Sequence, residues 1–145
     1  MPKFEAKNII RNAPSELRSI LNRTWNIPQN TKWHPEGNTF KHILIVLRRA
    51  CDTDNVNLIM AALFHDLGKV DTFSYNEKTG QPTAYHHEKE SCKYVFKFRN
   101  YIKAFGGDPL IVYWIVKNHM VSKYIYEMRP SKQNKLTTHP DFLNL

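Results

Sequence analysis

Seven consecutive apolar residues, Leu58 to Phe64, run directly into His65 and Asp66. A helix with no polar face therefore delivers an imidazole and a carboxylate to its inner end. A buried carboxylate is costly unless a cation compensates it, and a divalent metal is the strongest such partner. His42 lies between Lys41 and Ile43 on a second stretch that is apolar over most of its circumference. Alone it would read as a hydrogen-bonded core histidine; beside a His-Asp pair it becomes a candidate third ligand. Neighbouring helix positions are ~100° apart around the axis, so His65 and Asp66 can lean toward one point between helices. Lys69 follows His65 by four residues and Asp66 by three. A continuing helical turn brings its ammonium to the same face, within reach of a phosphate held at the metal. A surface lysine beyond a helix end is the other reading.

The elements that must position these groups are helices. Pro14 and Ser15 open an amphipathic stretch in which Leu17, Ile20, Leu21 and Trp25 recur at three- and four-residue spacing, ending before Pro28. Asn38 or Thr39 caps the next helix, whose apolar face is Phe40, Ile43, Leu44, Leu47, Ala50 and Cys51, extended by Ile45 and Val46. Asp54 or Asn55 caps the helix that ends in His65 and Asp66. Asn76 to Pro82, with Gly80 at its centre, predicts a surface loop or short hairpin. Helical patterning resumes after His86 and His87 and continues through Cys92, Val95, Phe96 and Ile102 to Gly106-Gly107. Asp108 then Pro109 starts a last apolar helix, Leu110 to Val116, that leads to His119. Without a set of alternating strands, the expected fold class is an all-α bundle of about five to seven helices.

Composition bounds the rest. With 145 residues, 41% of them hydrophobic, the chain is expected to form one domain. No apolar run approaches the ~20 residues of a membrane span, and the opening Met1-Pro2-Lys3-Phe4-Glu5 is unlike a secretory signal, so a soluble, cytoplasmic protein is expected. Cys51 and Cys92 read as reduced packing residues. The net charge of +8 favours anionic partners such as nucleotides or nucleic acid. Between residues 117 and 135, Lys117, Lys123, Arg129, Lys132 and Lys135 face a single acid, Glu127; a solvated basic face and a phosphate-binding segment fit equally well.

His42, the stretch Ala62-Leu63-Phe64-His65-Asp66-Leu67-Gly68-Lys69 and His87-Glu88-Lys89 resemble the HD phosphohydrolase superfamily. Trp33-His34-Pro35-Glu36-Gly37-Asn38-Thr39-Phe40-Lys41-His42, His86-His87-Glu88-Lys89-Glu90-Ser91 and Pro140-Asp141-Phe142 are similar to the HD domain of bacterial tRNA nucleotidyltransferases and poly(A) polymerases. The resemblance covers about residues 32 to 142, with 1 to 31 as a helical extension. The nucleotidyl-transferring part of those larger enzymes has no counterpart, which suggests a stand-alone module. It implies that His42, His65 and Asp66 bind a divalent metal, with His87 and His119 as added ligands for a second ion. His86 competes with His87, and the Glu-Lys that follows favours His87. His119 ends an apolar helix much as His65 does, which supports an inward placement. The aspartate that the family usually supplies from a late helix is not matched. Asp141 lies in a setting that normally precedes that helix.

Histidine and carboxylate ligation suits Mn, Fe, Co, Ni or Zn better than calcium, with Mg also open, and one or two ions. Such an ion lowers the pKa of water toward neutrality for attack on phosphorus. Asp66 is expected to orient the nucleophile, and Lys69, with His34 or Lys123, to neutralise the transferring group. Asp71 and Thr72 contact substrate or, more in keeping with their position, close the turn. The implied activity is hydrolysis of phosphomonoesters or phosphodiesters of nucleotides, including 2′,3′-cyclic nucleotides and 2′-phosphates. Trp33 and Tyr85 are candidate base platforms, whereas Tyr75 and Trp114 read as packing residues. Two alternatives carry different signatures. A nucleic-acid-binding module would lose affinity steeply with salt and show no turnover. An alarmone hydrolase would carry a Glu-Asp pair where this chain has Gly68-Lys69-Val70-Asp71-Thr72.

Overall fold

The computed structural model describes residues 4–29, 37–118 and 121. Within them the order is α1 (Ala6–Arg11), α2 (Ser15–Thr24), α3 (Thr39–Cys51), α4 (Val56–Phe64), the single turn α5 (Lys69–Thr72), β1 (Phe73–Tyr75), β2 (Pro82–Ala84), α6 (His87–Lys97), α7 (Arg99–Phe105) and α8 (Pro109–Lys117). The fold is all-α, and its one sheet is a two-stranded antiparallel hairpin in which Phe73 pairs with Ala84 and Tyr75 with Pro82.

Local chemistry sets the helix starts. The side chains of Asn38, Asn55 and Asp108 accept from the backbone N–H groups of Lys41, Leu58 and Leu110, each supplying an acceptor that the first helical turn lacks. Asn38, not Thr39, and Asn55, not Asp54, are the caps. Asp54 stands instead in the left-handed region at φ 53°, in the turn before Asn55.

Helix α4 is the centre of the molecule. Every residue from Leu58 to Phe64 is fully buried, and α3 and α8 pack against it while α6 packs on α8. The core also takes Ile9 from α1 and Leu17 and Leu21 from α2, and a helix apolar on all sides is stable only in such surroundings. No helix among the described residues is long and apolar enough to cross a membrane. Cys51 and Cys92 are free thiols, both buried.

Two expectations are corrected. Trp25 leaves the α2 stripe because the helix ends at Thr24. It is 52% exposed and lies against the Phe40 ring at 5.6 Å. The single helix expected after His86 and His87, up to Gly106-Gly107, is two helices, broken where Phe98 departs from helical geometry (φ −101°, ψ 25°). The break turns Phe98 inward, 6.1 Å from the Phe64 ring, and leaves Phe96 outside. Helix α1, within the expected N-terminal helical extension, is only six residues long.

Candidate metal centre

Helix α3 presents His42 from its first turn, the end of α4 presents His65 and Asp66, and the first residue of α6 is His87. Their side chains meet on Asp66. Its Oδ2 lies 3.1 Å from His42 Nε2 and 3.1 Å from His65 Nε2, and its Oδ1 lies 3.1 Å from His87 Nε2. His42, His65 and Asp66 are all buried, and one ligand atom from each falls within 4.8 Å of the others.

Hydrogen bonding to the main chain sets the histidine rings. His65 Nδ1 is 2.7 Å from the carbonyl oxygen of Ala62, and His87 Nδ1 is 2.9 Å from that of Ala84. A carbonyl only accepts, so Nδ1 carries the hydrogen in both rings, and in the neutral imidazole Nε2 presents a lone pair. Each lone pair then faces a carboxylate oxygen, and His65 Nε2 also faces His42 Nε2 at 3.4 Å. Lone pairs converging at these distances repel one another. A cation among them turns repulsion into coordination, and outward Nδ1–H bonds to carbonyls are the usual second support of histidine ligands. The donor set of nitrogen and carboxylate oxygen therefore fits a divalent metal.

Burial acts most strongly on Asp66 and alone would raise its pKa. With the rings protonated, the charges of His65 and Lys69 and the hydrogen bonds that His42 and His65 then donate outweigh it and hold the carboxyl well below the usual carboxylate range. These partners favour the carboxylate form of Asp66. Lys69 Nζ is 3.5 Å from Asp66 Oδ2, on a side chain only 13% exposed. That ammonium is held from a distant part of the chain, for it donates to Gln29 Oε1 at 2.9 Å.

Two further contacts lock the turn after Asp66. The buried hydroxyl of Ser91 accepts from Gly68 N at 2.8 Å and donates to the His65 carbonyl at 2.9 Å. Gly68 is so close to α6 that a Cβ there would lie 2.1 Å from the His87 carbonyl oxygen. Glycine is the residue for such a backbone approach. Downstream, Thr72 Oγ1 donates to the Gly68 carbonyl and Tyr94 Oη donates to Asp71 Oδ2 at 2.6 Å. Asp71 and Thr72 are engaged in closing the turn.

His42, His65, Asp66, Lys69 and His87 are brought together. His86 is not: its side chain is 73% exposed, near Glu88, and its backbone is left-handed at φ 62°. His34, His119, Lys123 and Trp33 lie outside the described residues. Tyr75 and Tyr85 are exposed at the hairpin, and Trp114 packs against the core. Gln29 and Ser91 were not singled out in the sequence. Neither carries a spacing signal, because the contact of Gln29 spans 40 residues and those of Ser91 span 23 and 26.

The HD domain family model matches residues 39–141. Curated relatives named Multifunctional CCA protein are similar over most of the chain. That of Shewanella denitrificans is 26% identical across 84% of this chain and 29% of its own length. That of Shewanella frigidimarina is 30% identical across 81% of this chain and 28% of its own. Over a shorter stretch, that of Teredinibacter turnerae is 37% identical across 58% of this chain and 20% of its own. The chain spans less than a third of the length of these relatives. No solved structure matches it significantly. A match over most of the chain, together with a His, His-Asp centre at the motif's positions, places this chain in the HD-domain family of metal-dependent phosphohydrolases.

Proposed function

We propose that the chain hydrolyses phosphomonoester or phosphodiester bonds of nucleotide-type substrates, using a divalent ion held by His42, His65 and Asp66 with His87 as a further ligand. One observation carries the reading: three imidazole Nε2 atoms and an ionised carboxylate converge in buried space, with an ammonium at 3.5 Å. An ion bound there supplies an acidified water as nucleophile and a positive charge for a phosphoryl oxygen.

The remaining work falls to the chain's own groups. Asp66 offers one oxygen toward His42 and His65 and the other toward His87, so one carboxylate faces all three rings. Lys69 neutralises charge that grows on the transferring phosphoryl group, in a setting that α3, α4 and α6 keep largely free of bulk water. His119 as ligand to a second ion, and His34 and Lys123 on the substrate side, belong to the same proposal, as does a cytoplasmic setting. The nucleotide-type substrate is supported by the net charge of +8 and by the kinship with Multifunctional CCA proteins.

The test is metal analysis combined with a screen of nucleoside monophosphates, 2′,3′-cyclic nucleotides and triphosphates against several divalent ions. His65→Ala and Asp66→Ala are expected to lose bound metal and hydrolysis together while the circular dichroism of the helices persists. Hydrolysis that survives in chelator-stripped protein or in Asp66→Ala would sink the proposal.

A further inference from the structure

Gln29 is 6% exposed and stands where the chain leaves α2 for residues 30–36. The backbone pins it there. Gln29 N donates to the Gly37 carbonyl at 2.9 Å, Pro28 bridges to Asn38, and Thr39 donates twice to the Ile27 carbonyl, from N at 2.8 Å and from Oγ1 at 2.9 Å. This clasp leads into α3 three residues before His42. From it, Gln29 Oε1 accepts from Lys69 Nζ, and the same ammonium lies 3.5 Å from Asp66 Oδ2.

The orientation of the amide follows from chemistry. An ammonium has only donors, so the oxygen must face it and the NH2 must face away. That NH2 is buried and has no partner among the described residues. A buried donor without a partner is destabilising. For stability alone, a glutamate that pairs its charge with Lys69 would serve better. A neutral amide fixes the ammonium in place and adds no second negative charge to that of Asp66.

We propose that Gln29 is a positioning residue, a charge-neutral tether that holds Lys69 beside the metal centre without setting a second negative charge beside that of Asp66, so that the ammonium stays available to an anionic phosphoryl group. The inference rests on the phosphohydrolase reading above and deepens it.

Inorganic phosphate is the probe, titrated calorimetrically into the full chain after chelator treatment and again with Mn²⁺, alongside Gln29→Glu and Gln29→Met. Glu keeps the acceptor but cancels the charge; Met keeps the charge but drops the acceptor. Because full charges at ~4 Å interact strongly even at intermediate dielectric, Gln29→Glu is expected to weaken phosphate about tenfold or more, with a melting temperature at or above the wild type. Gln29→Met weakens it only about two- to fivefold. The order is wild type, then Met, then Glu, in both metal states and at unchanged metal content. A merely structural contact gives the opposite order, because Glu restores a partner for Lys69. Glu binding phosphate as well as Met or better overturns the tether, and so does a wild type that binds no phosphate. The expected order without metal-dependent turnover would sink the hydrolase reading and leave the tether standing.

Discussion

Gly68→Ala sets two effects of opposite sign against each other at the metal centre. Gly68 has ordinary right-handed helical angles (φ −61°, ψ −14°), so backbone propensity alone favours alanine, by up to ~1 kcal/mol in a helix interior and less at an end. Sterics oppose it. The new Cβ would lie 2.1 Å from the His87 carbonyl oxygen, 2.6 Å from Ser91 N and 2.8 Å from Glu90 Cβ. Two of these atoms are backbone and cannot swing aside, so α6 must retreat by more than an ångström to reach ordinary contact. Overpacking of this kind costs ~1–3 kcal/mol, which exceeds the propensity gain. A net loss of about 1–2 kcal/mol is expected, or roughly 2–8 °C in melting temperature for a domain of this size. The retreat also carries His87, the first residue of α6, away from Asp66 Oδ1. Metal affinity should therefore fall about tenfold, as it does when a supporting contact is lost, while His42, His65 and Asp66 still bind. Urea midpoints and a metal titration read the two effects. Gly80→Ala is the control: its Cβ meets nothing within 4 Å, and only its φ of 69° is strained, so stability drops and metal affinity does not. A Gly68→Ala protein with wild-type midpoint and wild-type metal affinity would refute the reasoning.

Ser91→Ala strands the Gly68 N–H and the His65 carbonyl in a buried site, so a loss of about 2–4 kcal/mol is expected in urea unfolding; a change below ~0.5 kcal/mol would mean that the turn is held by other means. Burial pushes the thiols of Cys51 and Cys92 up to about 11, aided at Cys51 by Asp52 and Asp54 and at Cys92 by Glu88 against Lys117. Both should resist iodoacetamide near neutral pH and react once urea unfolds the chain; rapid labelling of folded protein would contradict this. Burial, then the hydrogen bond to Asp71, pushes Tyr94 up to about 12. The unfolded phenol titrates near ~10, so folding favours the neutral form. That stabilisation is complete below ~10 and is lost as pH rises through about 12. Tyr94→Phe should flatten this part of the alkaline stability curve, although Tyr101, also raised to about 12 by burial, keeps a slope of its own. An unchanged curve would exclude the Asp71 contact as its source.

The parts of the fold that were legible are those whose cause is local. Asn38, Asn55 and Asp108 announce helix starts because a cap acts over two or three residues, and the all-apolar run of α4 can only be a core helix. Phe98 hides the α6–α7 break because it occupies an apolar position with no Pro or Gly beside it, so a tertiary demand to reach Phe64 decides the break. Phe96 and Leu110 match the helical apolar pattern yet are 66% and 80% exposed, since periodicity records spacing and not what covers a face. At the site, His42, His65 and Asp66 could be singled out because burying such groups needs a reason. Nothing near Gln29 or Ser91 hints at Lys69 or Gly68, whose proximity is a product of the completed fold.

The ring orientations at the centre are set by two main-chain oxygens, those of Ala62 and Ala84. Aim is thereby decoupled from side-chain identity. A lineage could exchange either alanine, or most of the hairpin, and each imidazole would keep its tautomer as long as the chain path persisted. What lines the rim is free to drift, while the aim of the two rings is inherited with the backbone.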